Sequence, residues 1–125
     1  MNTPASPAPE RLCSTPVNVA LCRLTELADA RARNFVLQIG QQRFHGFVVR
    51  VGEAVHGYVD RCPHMSFPLA QKLDDYLTPD GSLIACGWHG ALFHIDTGIC
   101  VGGPCVGRAL TPWPLKIENG VVTTA

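Results

Sequence analysis

A chain of 125 residues suits one domain, a size that buries roughly two thirds of its unfolded surface without staples. Ten Lys+Arg balance ten Asp+Glu, so no basic stripe argues for nucleic acid, and the apolar fraction of 46% excludes a disordered chain. Twelve glycines and ten prolines favour tight turns over long helices and move the fold class to all-β.

Residues 1–16 place Pro4, Pro7, Pro9 and Pro16 among Ala, Ser and Thr and read as a flexible N-terminal tail without chemistry. They show no cationic segment followed by an apolar one, and nowhere does the sequence reach the roughly 18 apolar residues of a membrane span. The expectation is a cytoplasmic protein with no membrane anchor.

A β-type run covers residues 17–24, and the Ala/Arg-rich stretch 26–33 reads as a helical turn before a strand at 34–39. Gly40-Gln41-Gln42 marks a hairpin turn into a strand at 43–51, and Gly52-Glu53 turns it into another at 54–60. From 61 to 106 Cys, His, Gly and Pro crowd together, with one clear strand signal at 82–86 after the Pro79-Asp80-Gly81 turn. Strand-like alternation returns over 108–117, and Asn119-Gly120 is a type I′ turn signal before a last strand at 121–124. The middle thus reads as an insertion into a β scaffold built from both ends, with residues 17–124 as the domain and about 61–106 as the inserted part.

Six cysteines stand at 13, 22, 62, 86, 100 and 105, and as a count they fit a disulfide framework, a metal site or buried thiols. Their neighbours separate them. Cys62-Pro63-His64 is a Cys-x-His pair and Cys86-Gly87-Trp88-His89 a Cys-x-x-His pair, each on a turn-prone segment. Two such loops brought together offer two sulfurs and two imidazoles to one small centre, which is a metal site. Structural zinc usually groups Cys with Cys and His with His, whereas one Cys and one His from each loop suits a two-iron cluster with chemically distinct irons.

These boxes resemble the Rieske family. The likeness is carried by Cys62-Pro63-His64, by Cys86-Gly87-Trp88-His89-Gly90 followed by Ala91-Leu92-Phe93-His94, by Thr97-Gly98, and by Gly103-Pro104-Cys105. It implies an antiparallel β-sandwich scaffold with an inserted cluster-binding subdomain and one [2Fe-2S] cluster per chain. By the same resemblance, Cys62 and Cys86 hold the buried iron and His64 and His89 the outer one. Rieske proteins of cytochrome bc complexes carry an extra disulfide between the boxes and Ser and Tyr hydroxyls after the second. Here Phe67, or a near neighbour, and Trp88 fill the cysteine slots, and Ala91 and Phe93 replace the hydroxyls. The resemblance therefore implies a low-potential ferredoxin passing one electron from a reductase to an oxygenase or similar acceptor, and not itself an enzyme. The alternatives are a small relay subunit within a larger oxidoreductase and a structural zinc module.

Backbone N–H groups of residues 65–67 and 90–92 are expected to face the cluster sulfurs, with Gly102-Gly103-Pro104 as a covering loop and Met65, Phe67 and Trp88 as an apolar collar. Cys100 and Cys105 read as small apolar fillers, with a disulfide between them left open; Cys13 reads as a tail thiol and Cys22 as a core residue. His45, His56 and His94 read as ordinary strand residues, Phe93 and Trp113 as core aromatics, and Asp74, Asp75 and Asp80 as a solvated loop.

Overall fold

In the computed structural model, residues 12–63, 68–88 and 90–125 are described below. Among the described residues nine strands run in the order β1 (Ala20–Arg23), β2 (Arg31–Ile39), β3 (Gln42–Val51), β4 (Ala54–Val59), β5 (Leu83–Ala85), β6 (Leu92–His94), β7 (Cys100–Gly102), β8 (Leu115–Glu118) and β9 (Val121–Thr124). They form three antiparallel sheets of three strands, ordered β1-β9-β8, β2-β3-β4 and β5-β6-β7. Both ends of the chain therefore share one sheet, as an insertion into a terminal scaffold requires. Among the described residues no helix is long and apolar enough to cross a membrane.

Turn chemistry sets the registers. Ile39 pairs with Gln42 and Val51 with Ala54, so two-residue turns beginning at Gly40 and Gly52 join β2, β3 and β4 into a meander. Asn119 and Gly120 both have positive φ, +51° and +76°, the type I′ geometry that joins β8 to β9.

The middle strand β3 is buried on both faces. Phe44 and Val48 face a core shared with Phe35, Trp113 and Val122, while Phe47 and Val49 face one shared with Tyr76, Ile84 and Phe93. The period of two along a strand sends alternate residues to opposite sides, so β3 divides the scaffold core from the core of the inserted sheet. Trp113 closes the scaffold side, 4.6 Å from the Phe44 ring and with its indole N–H donating to Thr15 Oγ1 at 2.9 Å. It packs directly against Gly46, where a Cβ would come within 2.7 Å of its ring.

The structure departs from the sequence expectations in three places. The helical turn falls at Leu24–Glu26 as a single 3-10 turn, and the 26–33 stretch instead enters β2 at Arg31, because Arg31, Ala32 and Arg33 find ladder partners in Arg50, Val49 and Val48. Among its described residues the inserted part contains three strands where one was expected; β6 and β7 are three residues each, too short to show a period. Across 108–114 the chain makes only isolated bridges at Ala109 and Pro112 before β8 begins at Leu115, since Pro112 and Pro114 lack the N–H that a ladder needs.

Candidate metal centre

The first cysteine-bearing loop leaves β4 through Asp60, Arg61 and Cys62. Asp60 N–H donates to His45 C=O at 2.9 Å, and its buried carboxylate crosses the loop. Asp60 Oδ1 accepts from Leu69 N–H at 2.9 Å, and Oδ2 accepts from Tyr76 OH at 2.8 Å and Asn34 Nδ2 at 3.3 Å. Asn34 also donates to Tyr76 OH at 2.7 Å. One carboxylate thus ties the exit and return of the loop to the central sheet. The Tyr76 ring stacks on Phe47 at 4.2 Å, and burial, followed by the Asp60 charge, pushes its phenol well above the ordinary value.

The second loop joins β5 to β6. Cys86 N–H donates to Ala91 C=O at 2.8 Å, and Gly90 N–H donates to Cys86 C=O at 3.1 Å. The Gly90 N–H expected to face a cluster sulfur instead closes this turn. Gly87 N–H donates to Leu69 C=O at 2.7 Å, and Gln71 Nε2 donates to Gly87 C=O at 2.7 Å. These hydrogen bonds bind the first loop to the second in the absence of an interloop disulfide.

The third loop covers both. A Cβ on Gly103 would stand 2.8 Å from Ala91 Cα and 3.0 Å from Gly90 C=O, so only glycine permits this packing. From the end of the same loop, Arg108 Nη1 donates to Pro63 C=O at 3.0 Å, beside Cys62. Asp60, Gln71 and Arg108 escaped the sequence reading because loop-to-loop partners distant in sequence leave no spacing signal.

Cys62 and Cys86 are buried, 0% and 2% exposed, and belong to one apolar cluster with Cys100 and Cys105. The Cys105 thiol is pushed up to about 12 by burial first and the Cys100 contact second, with Cys62 and Cys86 close enough to add to the rise. Two buried thiols on loops laced together by hydrogen bonds fit the cysteine side of an iron–sulfur cluster, whose bridging sulfides and thiolates need an apolar, water-poor surround. His64 and His89, with Met65, Ser66 and Phe67, lie outside the described residues. Of the expected collar, Met65 and Phe67 lie outside the described residues; Trp88 is exposed, as are Val101 and Val106 on the third loop's side.

The other residues take the ordinary places expected of them. Phe93 and Trp113 are buried, His94 is exposed and His45 and His56 are half-buried. Asp80 accepts from Thr78 Oγ1 and from the Ser82 backbone and hydroxyl, a turn-capping role. Among the described residues no three His, Cys, Asp or Glu side chains form a group able to hold a metal ion.

Comparison with known proteins agrees with this geometry. The family model of the Rieske [2Fe-2S] domain matches residues 18–118. Ferredoxin CarAc of Metapseudomonas resinovorans is 31% identical over 78 residues, covering 62% of this chain and 67% of the relative. Apoptosis-inducing factor 3 of Mus musculus is 27% identical over 107 residues, 86% of this chain but 16% of that longer protein. Among solved structures, a chain of the complex of reduced oxygenase and oxidized ferredoxin in carbazole 1,9a-dioxygenase superposes with a TM-score of 0.68 at 25% identity, covering 86% of this chain and 100% of that one. With the match spanning most of its length and with the two cysteine loops brought together under a third, the chain belongs to the Rieske [2Fe-2S] domain family.

Proposed function

We propose that this chain is a one-electron carrier that takes electrons from a reductase and delivers them to a terminal oxygenase or a similar acceptor, as a cytoplasmic protein and not as the enzyme itself. The observation that carries the reading is the burial of Cys62 and Cys86 on two loops joined through Leu69, Gln71 and Gly87. In this reading residues 1–16 are a tail and 17–124 the domain, with the cluster-binding part at about 61–106. Cys62 and Cys86 hold one iron, and His64 and His89 the other.

Bound there, a [2Fe-2S] cluster supplies a one-electron couple, and imidazole ligation places Rieske potentials at roughly −150 to +300 mV. Ala91 and Phe93, both 0% exposed, carry no hydroxyl to stabilise added negative charge, which supports a potential near the lower end. The exposed Trp88, Val101 and Val106 supply apolar surface suited to brief docking.

Likeness to a ferredoxin and to a chain from an oxygenase–ferredoxin complex supports an oxygenase as acceptor. The mouse relative, of which the chain spans 16%, favours as a second reading a relay domain working within a larger oxidoreductase. The test is iron and sulfide analysis with absorption and reduced-state EPR spectra, followed by rapid mixing of the reduced protein with a carbazole-dioxygenase-type oxygenase. Two irons and two sulfides per chain and reoxidation by the oxygenase are expected. A colourless protein holding one zinc overturns the reading, whereas a coloured protein inert toward separate partners favours the relay.

A further inference from the structure

Cys100 opens β7 and Cys105 lies in the turn that follows, and their sulfurs are 3.0 Å apart in the interior, with the residues 3% and 2% exposed. The backbone holds them in this position from both sides. Cys100 N–H donates to Arg108 C=O at 2.8 Å, and Arg108 N–H donates to Cys105 C=O at 2.9 Å. The Cys105 thiol donates to Cys100 Sγ, and the Cys100 thiol donates in turn to Gly102 C=O at 3.1 Å. A disulfide bond is about 2.05 Å long, so roughly 1 Å of approach separates the two thiols from a bond.

We propose that Cys100 and Cys105 form a reversible dithiol–disulfide site whose oxidant is hydrogen peroxide. One thiol, through the small thiolate fraction that burial leaves it, attacks the peroxide slowly, breaking the O–O bond to give a sulfenic acid and one water; the second sulfur, 3.0 Å away, then displaces the hydroxyl as a second water. In sum, two thiols and one peroxide become one disulfide and two waters, the sulfur pair losing the two electrons that the peroxide gains. Burial of the pair excludes a protein oxidant and leaves only a small one. The flanking Val101 and Val106 are themselves exposed, so the sulfurs lie close beneath the surface.

The new bond would lock the third loop in the arrangement that lays Gly103 on Gly90 and Ala91, without using either cysteine proposed as an iron ligand. The proposal stands on the sulfur geometry and does not depend on the electron-carrier reading.

The experiment treats the cluster-loaded protein with graded peroxide, quenches it in denaturant with N-ethylmaleimide, and maps the tryptic peptide 73–108, which contains Cys86, Cys100 and Cys105. Without peroxide the peptide should accept three maleimides. After peroxide it should accept one, at Cys86, with the remaining pair two hydrogens lighter; dithiothreitol should restore three, and the visible absorption should persist throughout. Cys100→Ala and Cys105→Ala, with Cys100→Ser as a conservative check, should give a peptide that forms no internal disulfide. The proposal is overturned if the wild-type peptide still accepts three maleimides at peroxide doses that oxidise the exposed thiol of Cys13, or if a disulfide to Cys86 persists in Cys100→Ala.

Discussion

Replacing Asp60 by Ala tests whether a single buried carboxylate holds the first cysteine-bearing loop in place. The substitution removes the acceptor from Leu69 N–H at 2.9 Å, Tyr76 OH at 2.8 Å and Asn34 Nδ2 at 3.3 Å, in a residue only 5% exposed. Hydrogen bonds to a charged group contribute about 1.5–3 kcal/mol each. The long Asn34 bond counts for least, and Asn34 and Tyr76 retain each other at 2.7 Å. Removing a buried charge also relieves its desolvation cost. The balance is a loss of about 3–4 kcal/mol, which lowers Tm by roughly 12–16 °C at about 4 °C per kcal/mol.

Asp60→Asn keeps one oxygen for Leu69 N–H and should lose about half as much. Tyr76→Phe should cost about 1–2 kcal/mol. Because Asp60 and Tyr76 share a hydrogen bond, the Asp60→Ala/Tyr76→Phe double variant should fall short of additivity by about 1 kcal/mol. The assay is thermal unfolding of the loaded protein at a fixed scan rate, followed by near-ultraviolet circular dichroism, with iron release to a chelator as the readout of the loop itself. Release should accelerate in Asp60→Ala. A loss below about 1 kcal/mol, or strictly additive variants, would refute the assignment of Asp60 as the tie across this loop.

Two further outcomes are expected. Ala91→Ser with Phe93→Tyr restores two hydroxyl donors at buried positions; at about 1 kcal/mol of preference for the reduced state per donor, and about 60 mV per tenfold for one electron, the potential should rise by roughly 50–100 mV in a redox titration, and no rise in the double variant means that the donors are misplaced. The two tyrosines, Tyr58 and Tyr76, are both shifted upward by burial first, Tyr58 to about 12 with Asp96 adding, where it donates to Ile95 C=O at 2.6 Å. For Tyr58 a folded-state pKa above the unfolded value of about 10 makes its contribution to stability complete below pH 10 and progressively lost as pH rises to about 12, while that of Tyr76 is lost only at still higher pH. Native phenolate absorption should therefore be absent at pH 10.5, and half-titration near pH 10 would contradict the burial of these rings.

The sequence by itself determined the chemistry of the chain and most of its scaffold. Cys62-Pro63-His64 and Cys86-Gly87-Trp88-His89 are local patterns, and a Cys and a His one or two residues apart mark a candidate site because the chain can turn both toward one point. Gly40, Gly52 and Asn119-Gly120 announced the hairpins for the same reason: a tight turn is decided by the few residues inside it. The β meander before Cys62 and the pairing of both chain ends followed from strand signals long enough to show a period.

Tertiary structure alone decided the rest. β6 and β7 are three residues each, so they exist by pairing with β5 and each other rather than by local propensity. The stretch from Arg31 to Arg33 became strand because β3 offered it partners. Asp60, Gln71 and Arg108 became ties between loops because folding brought them to Leu69, Gly87 and Pro63. The Cys100–Cys105 contact of 3.0 Å depends on the return of the chain to Arg108. Local sequence fixes which atoms are available and how the chain turns, whereas the partners of a buried polar group or thiol are set by packing between segments distant along the chain, which no window of sequence contains.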